Sequence, residues 1–300
     1  MRIGLITSAP DHPLLAAAGA LLTADGHRVE ALDPADPPAT GTGPLADVYL
    51  LKARTPAALA LARSLEERGA PVVNPAAATE LCQDRTAMAE LARRAGLPFA
   101  PTRTAERPAA LLAAAEAGEL ALPLVVKSRH SRRHDLVTRV DDTSRLRALA
   151  DQWPDEPVIA QPYLPSTGWD QKLWVVAGQL FCARRRSELA DPADLGLVGH
   201  VGPPQGADGF GPDDLPAGRA RLALRVGEVF GLDVYGVDLL DGPHRPVVVD
   251  VNAFPGIRGQ AGAPEALAAL ALRTAAAGPP PLPRPRAHAP ADAGPGAPAR

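Results

Sequence analysis

The sequence is poor in several features that would fix its class at once. Its 300 residues include two cysteines, Cys82 and Cys182, a hundred positions apart and without a CxxC pair. That excludes a disulfide framework and a cysteine-rich zinc site, and it fits a reducing compartment. Aromatic residues make up only 4% of the chain, so the core must rest on Leu, Val and Ala. No uncharged apolar run approaches the ~18 residues of a membrane-spanning helix. Glu265 and Arg273 interrupt the most apolar candidate, and the run after Met1 is too short for a secretory leader. Lys+Arg 31 against Asp+Glu 34 leaves a net charge of −3, which speaks against wholesale binding of a phosphate backbone. The expectation is a soluble, cytoplasmic chain with no nucleic-acid or membrane partner.

Familiar catalytic signatures are missing as well. There is no GxxxxGK[ST], HExxH or GxSxG, and Gly206, Gly209 and Gly211 do not space as GxGxxG. The seven histidines form no evident ligand set. Lysine is scarce too: among 31 basic residues only Lys52, Lys127 and Lys172 are lysines, and Asn74 and Asn252 are the two asparagines. In a chain drifted toward Arg, Ala and Pro, lysine persists preferentially where a guanidinium fork cannot replace a compact ammonium. Persistence by chance is the plain alternative.

What is present alternates in the α/β manner over the first hundred residues. Strands are expected over 2–7, 27–31, 47–51 and 71–73, with helices over 13–24, 55–68 and 79–95. Strands separated by helices of about a dozen residues imply a parallel sheet. Beyond Pro101 the pattern becomes α+β. Strands are expected over 122–127, 135–140 and 157–161, a hairpin about Gly178, and a second hairpin, 234–240 with 246–251, about Asp241-Gly242. Helices are expected over 143–152, 219–230 and 264–277, and a long Gly/Pro/Asp-rich loop over 189–216. Residues 278–300 hold eight of the 34 prolines and should be disordered.

Several stretches can carry chemistry. In Val247-Val248-Val249-Asp250-Val251-Asn252, strict alternation puts the odd-numbered valines on one face and Asp250 and Asn252 on the other. The preceding strand brings Asp238 beside them, and two carboxylates with an amide oxygen are hard donors suited to Mg²⁺. A polar hairpin face turned to water fits equally. Leu124-Val125-Val126-Lys127 delivers an ammonium at a strand end, where it can meet phosphate or simply solvent. Lys172 alternates with Asp170 on one strand face, which also fits an exposed ion pair. Arg184 and Arg186 share a face, and Gln161-Pro162-Tyr163-Leu164 closes a strand with groups that can border a flat base or merely form a strand exit.

The order of these pieces carries more than any one of them. A lysine-bearing strand, a strand ending Gln-Pro-Tyr-Leu, Asp170-x-Lys172, an arginine cluster, then Gly236-Val237-Asp238-Leu239-Leu240 and Val249-Asp250-Val251-Asn252-Ala253-Phe254-Pro255-Gly256 follow in turn. This resembles the ATP-grasp superfamily, nearest its RimK-like carboxylate–amine ligases, over about residues 74–262. The resemblance implies a Rossmann-like pre-ATP-grasp domain over 1–96 followed by a two-lobed ATP-grasp fold. The small lobe would span 97–165 and the C-terminal lobe with the metal site 166–277. It places Lys127 on the phosphates of ATP, with Arg85 replacing a phosphate-facing lysine after Asp84. Gln161, Pro162, Tyr163 and Leu164 would lie along the adenine, and Asp170 and Lys172 at the nucleotide. Asp238, Asp250 and Asn252 would hold two Mg²⁺, with Mn²⁺ as an alternative. Arg184 and Arg186, with Lys127, would act on the transferring phosphoryl.

The implied reaction joins a small-molecule or peptide carboxylate to an amine through an acylphosphate, releasing ADP and phosphate. A kinase acting on a hydroxyl, or a nucleotide-binding protein without turnover, is the alternative on the same scaffold. The 189–216 loop and residues 254–260 would shape the acceptor pocket, with Arg258 as a carboxylate contact. Many relatives self-associate, so a homo-oligomer is also implied. The sequence departs from the family after Lys127. Where a glycine-rich loop is usual it reads Ser128-Arg129-His130-Ser131-Arg132-Arg133-His134-Asp135, so any closure over phosphate must use arginines and serine hydroxyls.

Overall fold

A computed structural model describes residues 1–36, 44–132, 134–164, 169–186, 214–241 and 245–278. Within these, the side chains of residues 169, 170, 184–186 and 241 are not described. The loop expected over 189–216 lies largely outside the described residues, and so does the 279–300 segment.

β1 (Arg2–Ile6), β2 (Arg28–Leu32), β3 (Val48–Leu51) and β4 (Val72–Val73) make an all-parallel sheet in the order β2-β1-β3-β4. α1 (Pro13–Ala24) and α2 (Pro56–Glu67) each begin with proline, whose missing N–H has no helical partner to lose in the first turn. Strand β3 is buried along its whole length, as expected of a parallel strand covered on both faces.

The single helix expected over 79–95 is two helices, α3 (Ala76–Leu81) and α4 (Arg85–Arg94). Asp84 is the cause. Its carboxylate accepts from the amides of Thr86 and Ala87 at 2.9 and 3.2 Å, an N-cap that ends one helix and starts the next. Arg85 thereby becomes the first helical residue of α4.

A second sheet contains β5 (Arg103–Ala105), β6 (Leu124–Ser128), β7 (Val137–Val140) and β8 (Val158–Pro162), antiparallel in the order β5-β8-β6-β7. α5 (Pro108–Glu116) and α6 (Thr143–Gln152) share its core through Leu111, Leu146 and Leu149. Sequence reasoning did not expect β5 or α5. The first is three residues long, and the second is mostly alanine, so its apolar face has no contrast.

The third sheet, β9 (Trp169–Val176), β10 (Gln179–Arg186), β11 (Val234–Asp241) and β12 (Pro246–Ala253), is antiparallel in the order β10-β9-β11-β12. Ala177 and Gly178, at φ of 53° and 80°, form the two-residue turn between β9 and β10. Positive φ at both positions matches the right-handed twist of the flanking strands. α7 (Ala217–Phe230) ends at Gly231 in the left-handed conformation, φ 67°. α8 (Ala263–Ala277) buries Leu267 and Leu270 in a core shared with Leu14 and Leu15 of α1.

Strict alternation fails in β12. Asp238 pairs with Asp250 but Leu239 pairs with Val248, so Val249 is an extra residue in a β-bulge. The buried positions are Val248, Val251 and Ala253, so that of the three valines expected on one face only Val251 is buried, Val247 and Val249 being half-buried. Asp250 and Asn252 still share the opposite face.

Asn74 ties the parallel sheet's exit to β11. Fully buried, it donates to the Val234 carbonyl at 2.6 Å and accepts from the amides of Asp233 and Val234 at 2.9 Å. Asn74→Ala leaves buried N–H groups without acceptors, an expected loss of about 3 kcal/mol. Urea titration checks it through a lowered midpoint at unchanged slope.

Candidate active site

Five elements converge on one charged cluster. β6 carries Lys127 at its penultimate position, only 7% exposed, whose ammonium donates to the Val249 carbonyl at 3.1 Å. The bulge explains that bond, because an extra residue leaves its backbone carbonyl outside the regular ladder. Burial pushes the Lys127 ammonium's pKa down; Asp250 opposes this, while Arg85 adds to it. A buried ammonium of this kind gains when phosphate oxygens arrive beside it.

Arg85 enters from the start of α4. One guanidinium nitrogen donates to the Ser128 carbonyl at 2.8 Å and to Asp135 at 2.7 Å, and the other lies 3.3 Å from Asp250. Burial opposes its charge, but Asp250 and Asp135 outweigh that and raise its pKa. On the third sheet, Lys172, Asp238 and Asp250 are neighbours across three strands, and Lys172 pairs with Asp238. Three cations thus face three carboxylates.

The donor set fits a divalent cation. Asp238 and Asp250 oppose each other directly, and Asn252, opposite Gly236, stands two residues along on the same face. Hard oxygens in that arrangement suit Mg²⁺. Among the described residues no three His, Cys, Asp or Glu side chains form a metal cluster.

Other candidates lie around this centre. Gln161 is buried, but its side-chain amide donates to Thr102 at 3.2 Å and so is turned to the chain segment before β5. Pro162 is exposed and Leu164 half-buried, and the Tyr163 amide donates to Pro123. The Tyr163 ring carries the Arg139 guanidinium 4.1 Å from its centroid. Asp170 lies on β9, and Arg184 and Arg186 on β10 opposite Gln171 and Trp169; these three side chains are outside the described set. Arg258 is exposed on the segment after β12.

The glycine-free loop is fastened to the protein. Arg129 forks onto Asp84 with contacts of 2.7 to 3.1 Å, and Arg132 forks onto Glu156 at 2.7 and 2.8 Å. These two arginines are therefore committed to the loop's attachment. Sequence reasoning missed Asp135, the one acid among the loop's basic residues, and the Val249 carbonyl, for which no sequence signal exists. Cys82, beside the cluster, is no nucleophile: burial, then Asp250, pushes its thiol up to about 12.

A parallel sheet followed by two antiparallel α+β sheets that meet at such a cluster is the ATP-grasp fold. The RimK domain ATP-grasp protein of Sphaerobacter thermophilus superposes with a TM-score of 0.67 at 24% identity, over 91% of this chain and 100% of that one. D-alanine–D-alanine ligase of Bacillus anthracis complexed with ATP gives 0.61 at 17%, over 92% and 98%. The family model described as the RimK-like ATP-grasp domain matches residues 82–266, and the chain belongs to that family. A probable alpha-L-glutamate ligase of Thioalkalivibrio sulfidiphilus is 27% identical over 208 residues, 67% of this chain. The match spans 65% of that relative, just under two thirds of its length. Among the described residues no helix is long and apolar enough to cross a membrane.

Proposed function

We propose that this chain is an ATP-dependent ligase that joins a carboxylate to an amine, built as domains 1–96, 97–165 and 166–277. The observation that carries the reading is the meeting of Lys127 and Arg85 with the opposed Asp238–Asp250 pair. In this reading the substrate carboxylate attacks the γ-phosphorus of ATP, giving an acylphosphate and ADP. The amine then attacks the acyl carbon and phosphate leaves.

No side chain acts as nucleophile, so positioning and charge stabilisation carry the rate. Lys127 neutralises charge on the transferring group, aided by Arg184 and Arg186 from β10. Lys172 holds Asp238, and Arg85 holds Asp250. Asp238, Asp250 and Asn252 would hold Mg²⁺, or Mn²⁺ in its place, which neutralises phosphate charge when bound; two ions fit the family pattern. Adenine would lie along Pro162, Tyr163 and Leu164 near Asp170. The substrates are small-molecule or peptide acids and amines.

The test is ADP release across a panel of acids and amines. Sustained ADP that requires both an acid and an amine supports the ligase. ADP that requires only a hydroxyl acceptor makes the chain a kinase, and ATP binding without ADP from any acceptor makes it a binding protein. Binding is read separately by melting. ATP with Mg²⁺ at 100 times Kd adds about 2.7 kcal/mol, several degrees of Tm for a chain this size. Asp250→Ala is expected to abolish the part of that shift that depends on Mg²⁺.

A further inference from the structure

A groove of about 1290 Å³ lies away from the charged cluster, where three parts of the fold meet. Its walls are the end of α2 with the entry to β4, the β9–β10 turn with Asp233, and the C-terminal half of α8. Ala177 and Asp233 stand five residues along the chain from Lys172 and Asp238, roughly 17 Å in extended strands. The groove is therefore separate from the site described above. Pro71, Val72, Leu270 and Ala277 give it an apolar lining. Three carboxylates, those of Glu66, Glu67 and Asp233, line it beside two guanidinium groups, so its own charge balance is negative. Neither Glu67 nor Asp233 forms an ion pair with a described residue. Burial raises the pKa of Asp233, and Arg273 on α8 offsets this only in part.

The chain leaves the groove from one of its walls. α8 ends at Gly278, which lines the groove at φ 71°, and residue 279 follows directly. Five of the seven residues 279–285 are proline, and Leu282 is the one large apolar side chain in 279–300. Such a composition cannot bury a core of its own, so any ordered state must use a surface of the folded chain. Proline fixes φ, and a proline-rich chain is extended before it docks, which lowers the entropy lost on ordering. Proline also removes N–H groups. Within 279–285 only Leu282 and Arg284 carry one, so an apolar groove would leave few donors unpaired. Arg284 and Arg286 bring positive charge to a groove whose balance is negative. At about 3.1 Å per residue, Arg284 falls within roughly 19 Å of Gly278.

We propose that residues 279–286 dock in this groove as a strap of the same chain. In this arrangement Leu282 meets Pro71, Val72 and Leu270, and the two arginines lie beside Glu67 and Asp233. The strap joins the parallel-sheet unit, through α2 and β4, to the third sheet, through Asp233 and Ala177. It also covers a joint that is already present. Val73 and Pro75, on either side of Asn74, line the groove, and Asn74 bonds the backbone of Asp233 and Val234. A docked strap shields those hydrogen bonds from water. The inference goes beyond the ligase reading and does not depend on it.

The test is trypsin cleavage of the full chain, read by mass spectrometry as the initial release of residues 287–300. Arg284 precedes a proline, so the bond after Arg286 is the one trypsin cuts in this stretch. A synthetic peptide of residues 279–300 gives the rate for an undocked segment. Cleavage follows the population of the open form, and the chain is expected to be cut at least about tenfold more slowly than the peptide. Leu282→Asp, made in chain and peptide alike, should remove the protection without altering any residue of the described fold. Glu67→Arg combined with Asp233→Arg should remove it from the groove side. The proposal is overturned if the wild-type chain is cut at the peptide's rate, or if protection survives both sets of substitutions. Protection that grows with protein concentration would place the segment in the groove of a second copy, and that too would overturn the intramolecular strap.

Discussion

Lys127→Ala is expected to lower ADP release by on the order of 10²–10³-fold, equivalent to losing a charge-stabilising donor worth ~3–4 kcal/mol. The size follows from its setting. The ammonium is buried, its one described hydrogen bond goes to a neutral carbonyl, and the carboxylates of Asp250 and Asp238 act on it from nearby. In such a low-dielectric position an added negative charge interacts far more strongly than it would in water. Lys127→Arg is not expected to rescue the rate, because a planar fork cannot occupy the volume of a compact ammonium between Val249 and the carboxylates. The measurement is kcat beside the denaturant midpoint of each variant. A fall in kcat no larger than the accompanying loss of folded protein would remove Lys127 from the catalytic role.

Arg85→Ala is expected to cost about 3–5 kcal/mol of stability, on the order of 10 °C in Tm. Asp135 and Asp250 are only 15% and 13% exposed, and both would lose the guanidinium that compensates them. The Ser128 carbonyl would lose its donor as well, and with it the attachment between α4 and the end of β6. Arg85→Lys should recover part of the loss, since an ammonium restores the charge but cannot fork between two carboxylates. Calorimetry or urea unfolding of the three proteins decides the matter. If Arg85→Ala melts within 2 °C of wild type, the guanidinium is not what holds the two carboxylates together.

Much of this molecule was legible in its sequence, for local reasons. Apolar runs and turn residues located most strands and helices, since burial on two faces or one leaves a direct mark on composition. The scarcity of lysine singled out Lys127 and Lys172, and the Asp238…Asp250-x-Asn252 pattern singled out the β11–β12 hairpin. A parallel sheet ahead of an α+β part followed from the change in pattern near Pro101, whereas the division of that part into two lobes followed from the resemblance alone.

Other features depended on which segments meet in space. By periodicity Asp84 falls inside one long helix, although the resemblance put Asp84-Arg85 at a helix start; its capping bonds split α3 from α4 and aim Arg85 inward. The bulge at Val249 leaves no periodic signal of its own, yet it shifts the core face of β12 and exposes the carbonyl that receives Lys127. Asp135 gains its role only because Arg85, fifty residues earlier in the chain, lies against it. Lys52 and His12 face Phe254 and Gly256 across some two hundred residues of sequence. Residue type and spacing determined which groups were available for charge, capping and burial. Tertiary structure alone decided which of them became partners, because electrostatic and hydrogen-bond energies depend on distances through space that chain order does not record.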